Sequence, residues 1–326
     1  MPCGLSHFLA GLQSASSEPY TEQLFTIEDR LFFESHLTEH PDCIITVETS
    51  GTTGSPRSVA VETQTLWAAS KRDDRNLFWF VTYPRKSMGL LQLKIHAIRN
   101  SHGLSQTFGP QINAIATTPS LFRKMLFTGE LEVRNLQQVT FGGEHADQRL
   151  LDMAKSAFPD AKITHTYASS ELGQVFSSSD GLEGYPERLL HKESSLKLAL
   201  DSLGELVAEY PNGKQAQTGD LFETSNGRIL FKGRKDDSGV VAGSIVFPHL
   251  LTQLIRGFDE VTDARSWLQP NPITNSVLAC EVVSEGDQGE LANAITRQAL
   301  SQLGRPYKPA RIDFVPELNL AKSGKA

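Results

Sequence analysis

Apolar residues recur along the chain with two periods, and their alternation predicts most of the elements. Phe8, Leu9 and Leu12, then Leu24, Ile27 and Leu31, fall at near-helical spacing, so residues 1–40 are expected to form a short helical lead-in. Residues 43–47 form an apolar run, expected as a buried strand. They lead directly into 49–57, a polar loop dense in glycine and hydroxyls, and a helix is expected over 63–72. From 76 to 145 strand and helix alternate. Strands are expected over 77–82, 112–117 and 138–141, and helices over 89–98 and 119–126, with Pro119 near the first helical position. Asp147 is placed to cap a helix whose Leu150, Leu151, Ala154 and Phe158 share one face, and 162–167 is the next strand. Such alternation implies a largely parallel, twisted sheet flanked by helices.

The texture changes after about residue 203. Short strands are expected over 204–210, 220–224 and 228–232, with Asn226-Gly227 as a hairpin turn between the last two. From 236 onward the pattern is compact α+β: helix 248–255, strand 276–283, helix 291–303, strand 310–315. The expected fold class is therefore α/β. A large N-terminal domain over 1–233 carries mostly parallel sheets flanked by helices, and a small α+β domain follows over 234–326, with a hinge at Gly233-Arg234-Lys235-Asp236-Asp237.

A length of 326 residues suits this division. The formal net charge of -7 argues against nucleic acid as a partner, because phosphate backbones reward basic surfaces. A local anion site needs only a few placed donors and stays open. Cys3, Cys43 and Cys280 are widely spaced and suggest no metal or redox pair. His96, His102, His165 and His191 lack metal spacing and read as structural or surface residues. No stretch reaches the ~18 apolar residues of a membrane span, and the first residues lack a basic segment followed by a long apolar run. A soluble, cytoplasmic protein is expected.

The chemistry starts at the loop Thr49-Ser50-Gly51-Thr52-Thr53-Gly54-Ser55-Pro56-Arg57. Glycines let backbone N–H groups approach an anion, hydroxyls add donors, and a basic residue neutralises charge. It lacks the Gly-Lys-Ser/Thr of a Walker loop. Five further segments follow in order: Gly142-Gly143-Glu144, Tyr167-Ala168-Ser169-Ser170-Glu171, Thr218-Gly219-Asp220, Gly233-Arg234-Lys235-Asp236-Asp237 and Ser323-Gly324-Lys325. Together the six resemble the motif series of the AMP-forming acyl- and aryl-CoA synthetases and adenylation domains, the adenylate-forming ligases. They span Thr49 to Lys325, nearly the whole chain.

The resemblance implies ATP-dependent activation of a carboxylic acid to an acyl-adenylate, then transfer to a thiol, coenzyme A or the phosphopantetheine of a carrier protein. It also implies roles. Thr49, Ser50, Gly51, Thr52, Thr53 and Gly54 would wrap the β- and γ-phosphates, with Arg57 standing where the family has Lys. Gly142, Gly143 and Glu144 would lie beside adenine and substrate. Tyr167 would pack against adenine, Ser170 would reach the α-phosphate, and Glu171 would hold Mg²⁺, a cation that prefers oxygen ligands. Asp220 would accept from the ribose hydroxyls, and Arg234 would add a ribose or phosphate contact. Asp236 is the hinge position, about which the small domain turns as a lid. Lys325 would bridge the carboxylate and the α-phosphate.

Besides Arg57, the sequence departs from the family in three further places. Only 48 residues precede Thr49, so the N-terminal region reads as shortened, its edge to be covered by a second copy or a partner chain. Ala168 replaces a glycine. Arg85 and Lys86 make basic the stretch before Gly89-Leu90, where a polar or anionic group on the acid could be read, or where a basic pair simply faces solvent. Two alternatives to a coenzyme A ligase stay open: a stand-alone enzyme that loads a carrier protein, and a reduced, inactive relative that binds a nucleotide or a partner.

Overall fold

A computed structural model describes residues 23–40, 42–49, 57–84, 87–131, 135–169, 172–191, 196–210 and 213–319. In chain order the first part comprises β1 (Gln23–Leu24), α1 (Ile27–Glu39), β2 (Ile44–Thr49), β3 (Arg57–Glu62), α2 (Thr63–Ala69), β4 (Phe78–Val81), α3 (Met88–Asn100), β5 (Gly103–Ser105), β6 (Ala114–Thr117), α4 (Pro119–Phe127), β7 (Gln138–Phe141), α5 (Gln148–Ala157), β8 (Lys162–Ser169) and β9 (Gly173–Ser178).

Seven of these strands form one sheet in the order β1-β5-β4-β6-β7-β8-β9. The five inner strands run parallel and the two edges antiparallel. Successive side chains point to opposite faces. Trp79, Val81, Ala114 and Ala116 pack with Phe33, Leu66, Leu90 and Ile98 on the side of α1–α3. Phe78, Phe80, Ile115 and Val139 pack with Phe122, Leu150 and Leu151 on the side of α4 and α5. Burial on both faces explains why these strands read as near-continuous apolar runs. Asp147 caps α5 as expected, its Oδ1 accepting from the Leu150 amide at 2.9 Å.

The strand order reverses at β4. The crossover through α3 carries the chain to one side of β4, and β6 lies on the other. In open parallel sheets a ligand crevice forms at such a switch point, outside the carboxyl ends of the strands.

The expectation of strand, loop, then helix around 49–57 needs correcting. A strand follows the loop before the helix: β2 and β3 form an antiparallel hairpin off the main sheet, with Thr49 opposite Arg57, and α2 begins at Thr63 as expected. The alternation Val59, Val61 is a strand signal that the helix reading of the following segment overlooked. α2 is also shorter than expected, because Ser70 turns extended.

The second sheet is wholly antiparallel: β10 (Tyr185–Pro186), β11 (Lys197–Leu200), β12 (Glu205–Glu209), β13 (Gln215–Ser225) and β14 (Arg228–Arg234), in the order β10-β14-β13-β12-β11. Asn226 and Gly227 both take positive φ, 51° and 71°, as a two-residue hairpin turn requires. Phe176 of β9 packs with Tyr185, Leu206, Phe222 and Ile229, which seats this sheet against the end of the first.

The third sheet uses β15 (Gly239–Val241), β16 (Ser244–Val246), β17 (Val261–Asn271), β18 (Asn275–Ser284) and β19 (Pro309–Phe314), packed with α6 (Pro248–Arg256) and α7 (Gln288–Gln298). Strand β17 was not foreseen, because its mixed polar sequence lacks a clean alternation. The helix expected to reach 303 ends at Gln298 and continues as a π turn, Ala299–Leu303. Among the described residues no helix is long and apolar enough to cross a membrane.

The third sheet is docked on the first through polar contacts. Arg149 of α5 donates to the carbonyls of Arg256 (2.6 Å), Phe258 and Asp259 (2.9 Å), capping the carboxyl end of α6. Gln253 of α6 donates to Glu183 at 2.8 Å, and His145 meets the same carboxylate at 2.7 Å. His249 lies beside them, its ring 5.1 Å from that of His145. Burial holds His249 well below the ordinary histidine range, so it stays neutral there.

Candidate active site

The Thr218-Gly219-Asp220 triplet is a bulge in β13. The pairs Val207↔Gln217 and Glu205↔Leu221 bracket it, so three residues stand opposite Leu206 alone. Thr218 holds the bulge closed: its Oγ1 donates to Leu206 O (3.0 Å) and accepts from the Asp220 amide (3.2 Å). Gly219 takes φ +72°, which L side chains rarely adopt. The bulge turns the Asp220 side chain toward β8 and β14.

Three predicted residues meet there. Tyr167 Oη donates to Asp220 Oδ2 at 2.7 Å. Arg234, the cross-strand partner of Asp220, places Nη1 3.4 Å from Asp220 Oδ1. The Nε of Arg234 is buried and finds no partner among the described residues. A buried guanidinium N–H without an acceptor is costly, and a ligand oxygen would relieve it. Burial and the neighbouring Asp220 carboxylate push the Tyr167 phenol far up, so it remains a donor. Phe176 stacks on the Tyr167 ring at 5.8 Å, and Phe222 meets it edge-on at 5.1 Å.

Gly142 and Gly143 follow β7 at the same carboxyl edge. A Cβ on Gly142 would lie 2.9 Å from Tyr83 Oη and 3.0 Å from Thr166 Oγ1, so any larger residue would have to push these hydroxyls aside. Gly143 takes φ +83°. Tyr83 follows β4, lies against Gly89 and donates to Thr117 O at 3.1 Å, which sets its hydroxyl at the carboxyl ends of β6 and β7, beside the switch point. Glu144 accepts from the Ser120 amide at 2.9 Å, a carboxylate at the N-terminus of α4.

The remaining predicted positions divide as follows. Thr49 and Arg57 hold the two ends of the loop by their backbones. Asp236 is an exposed residue of the turn after β14. Ser50, Gly51, Thr52, Thr53, Gly54, Arg85, Lys86, Ser170, Glu171 and Lys325 lie outside the described residues. Sequence reasoning missed the buried Glu205 behind the bulge and the His145–Glu183–Gln253 contact.

Comparison with known proteins completes the picture. No protein-family model matches the chain. It is similar to a D-alanine–D-alanyl carrier protein ligase of Staphylococcus aureus (strain MRSA252), 23% identical over 367 residues, covering 96% of this chain and 76% of that protein. Among solved structures it is similar to the anthranilate CoA ligase AuaEII in complex with anthranoyl-AMP, with TM-score 0.71 and 16% identity over 87% of this chain and 66% of that one. It is also similar to o-succinylbenzoate CoA synthetase (MenE) from Bacillus subtilis bound to the acyl-adenylate OSB-AMP, with TM-score 0.62 and 17% identity over 86% of this chain. The chain thus spans about two thirds of the length of the solved structures it matches.

Proposed function

From its motif series and its likeness to ligases of the adenylate-forming superfamily, we propose that this chain activates a carboxylic acid with ATP and passes the acyl group to a thiol. A carboxylate oxygen attacks the α-phosphorus, the bond to the bridging oxygen breaks, and pyrophosphate leaves. A thiol then attacks the acyl carbon, AMP departs with the carboxylate oxygen, and the thiol proton goes to solvent. Little covalent work falls to the protein, so positioning and charge neutralisation supply the rate.

The observation that carries this reading is the convergence of Tyr167, Asp220 and Arg234 at one end of the first sheet. Asp220 offers acceptor oxygens for the ribose hydroxyls, Tyr167 orients that carboxylate, and the free Arg234 Nε supplies a donor. In this reading the loop 49–54 and Arg57 take the β- and γ-phosphates, Ser170 the α-phosphate, and Lys325 the attacking carboxylate. Among the described residues no three His, Cys, Asp or Glu form a metal cage. In this reading Mg²⁺ would arrive on the phosphates and take one or two protein carboxylates, with Glu171 the residue to hold it.

Coenzyme A is the first choice of acceptor, in line with the solved ligases of like fold. The phosphopantetheine arm of a carrier protein is the second, favoured by the carrier-loading relative that aligns with nearly all of this chain. Pyrophosphate release, screened over carboxylic acids, tests the first half-reaction. It should be acid-dependent in the wild type and rise about a hundredfold in KM for ATP in Asp220→Ala, since charge-assisted hydrogen bonds are worth roughly 1.5–3 kcal/mol each. Release that ignores the acid would sink the proposal. Adding coenzyme A or a carrier protein then tells the two acceptors apart.

A further inference from the structure

Behind the bulge lies a carboxylate that none of the roles above employs. Glu205 opens β12, and its side chain is only 3% exposed. Its backbone is pinned: the amide donates to Asp201 Oδ1 at 2.8 Å, and the preceding Gly204 takes φ +86° with no room for a Cβ against Phe222 O. The two carboxylate oxygens do different things. Oε1 accepts from the Gly219 amide at 3.0 Å. Oε2 pairs with Lys235 Nζ at 3.2 Å. The Lys235 amide in turn donates to Gly219 O at 2.8 Å.

Gly219, the residue just before Asp220, is therefore held on both sides, its N–H by Glu205 and its C=O by the Lys235 amide. Lys235 follows Arg234 directly and begins the turn that leads from the second sheet to the third. Its side chain is half exposed, so its ion pair is the looser of the two attachments. One buried carboxylate thus joins the bulge that presents Asp220 to the crossing into the C-terminal sheet.

We propose that Glu205 is a positioning residue that ties the nucleotide site to the seating of the C-terminal sheet. Through Gly219 it aims Asp220 and the Arg234 beside it. Through Lys235 it restrains the 235–238 turn. A nucleotide that draws on Asp220 and Arg234 tightens the same frame and stiffens the turn, and a loosened turn leaves the Gly219 contact in place. The inference rests on the proposed use of ATP and specifies how that site communicates with the turn.

The two oxygens can be separated by substitution. Glu205→Ala removes both contacts. Glu205→Gln keeps an acceptor for Gly219 while dropping the charge that holds Lys235, and Lys235→Met removes the ion pair alone. Two readouts are needed: the KM for ATP in acid-dependent pyrophosphate release, and amide hydrogen exchange over 234–238 with and without saturating ATP and acid. Glu205→Ala should raise the KM about tenfold or more, the worth of one charge-assisted hydrogen bond, and speed exchange. Glu205→Gln and Lys235→Met should speed exchange to a like degree while leaving the KM within about threefold. Ligands should slow exchange over the turn in the wild type and less so in all three variants. If Glu205→Ala fails to fold, the other two variants carry the test. Wild-type turnover with a KM unmoved by Glu205→Ala, or Glu205→Gln matching Glu205→Ala in both readouts, overturns the positioning role alone. A wild type that releases no pyrophosphate with any acid overturns the parent reading and this coupling with it.

Discussion

Replacing Asp147 with alanine should be among the most damaging single changes outside the site. The carboxylate has two partners: Oδ2 pairs with Arg123 Nη2 at 2.5 Å, and Oδ1 caps α5 through the Leu150 amide. Arg123 is 2% exposed, and its Nη1 already lacks a partner among the described residues. Removing Asp147 leaves that guanidinium buried and unpaired, a cost of about 3–5 kcal/mol, and loss of the cap adds about 1 kcal/mol. The sum, roughly 4–6 kcal/mol, is a large part of a typical stability of about 5–15 kcal/mol. Urea titration followed by tryptophan fluorescence and circular dichroism reads it. The double variant Arg123→Met, Asp147→Ala removes both charges and should recover all but about 1–2 kcal/mol, because a buried pair is often replaceable by apolar groups. The pH dependence has a definite sign. Burial works to raise the Asp147 carboxyl, but Arg123 and Arg256 outweigh it and hold it below the ordinary range. Its contribution is therefore fully present above the unfolded value, about 3.9, and is lost as pH falls through the lower folded value. The difference between wild type and Asp147→Ala should narrow on acidification. A cost under 1 kcal/mol at neutral pH, or strict additivity in the double variant, would refute the reasoning.

Two further outcomes follow from the geometry. Gly142→Ala places a methyl 2.9 Å from Tyr83 Oη and 3.0 Å from Thr166 Oγ1, and the Tyr83 ring already rests against Gly89. It should cost about 1–3 kcal/mol by thermal unfolding and depress acid-dependent turnover, and an active variant with an unchanged melting point would contradict the crowding. Arg149→Met uncaps α6, so amide exchange at 256–259 should speed while exchange within β6 and β7 holds, and uniform acceleration across the chain would argue against a local cap.

Much of the first sheet was legible because its strands are buried on both faces and write themselves as apolar runs, as at Phe78–Val81 and Ala114–Thr117. Asp147, Pro119 and Asn226-Gly227 were legible for another reason: capping and turn chemistry is local. The hairpin β2–β3 escaped because its second strand is a short alternation beside a strong helix signal. β17 escaped because its neighbours, not its own pattern, make it a strand. In the site, Asp220 and Arg234 were readable as motif letters, but their meeting depends on a bulge and a cross-strand register that no spacing encodes. Glu205 looked like any strand-opening acid, because burial is a property of the assembled sheets. Tyr83 acquires its position through nearby Gly89 and through Thr117 and Gly142, which only the assembled sheet brings against it.

The central claim concerns where one oxygen atom goes. If the acid is labelled with oxygen-18 in its carboxylate and turned over with ATP and a thiol, the AMP formed should carry one labelled oxygen on its phosphorus, transferred when the acyl-adenylate is cleaved. Unlabelled AMP, or ADP in place of AMP, would contradict the account.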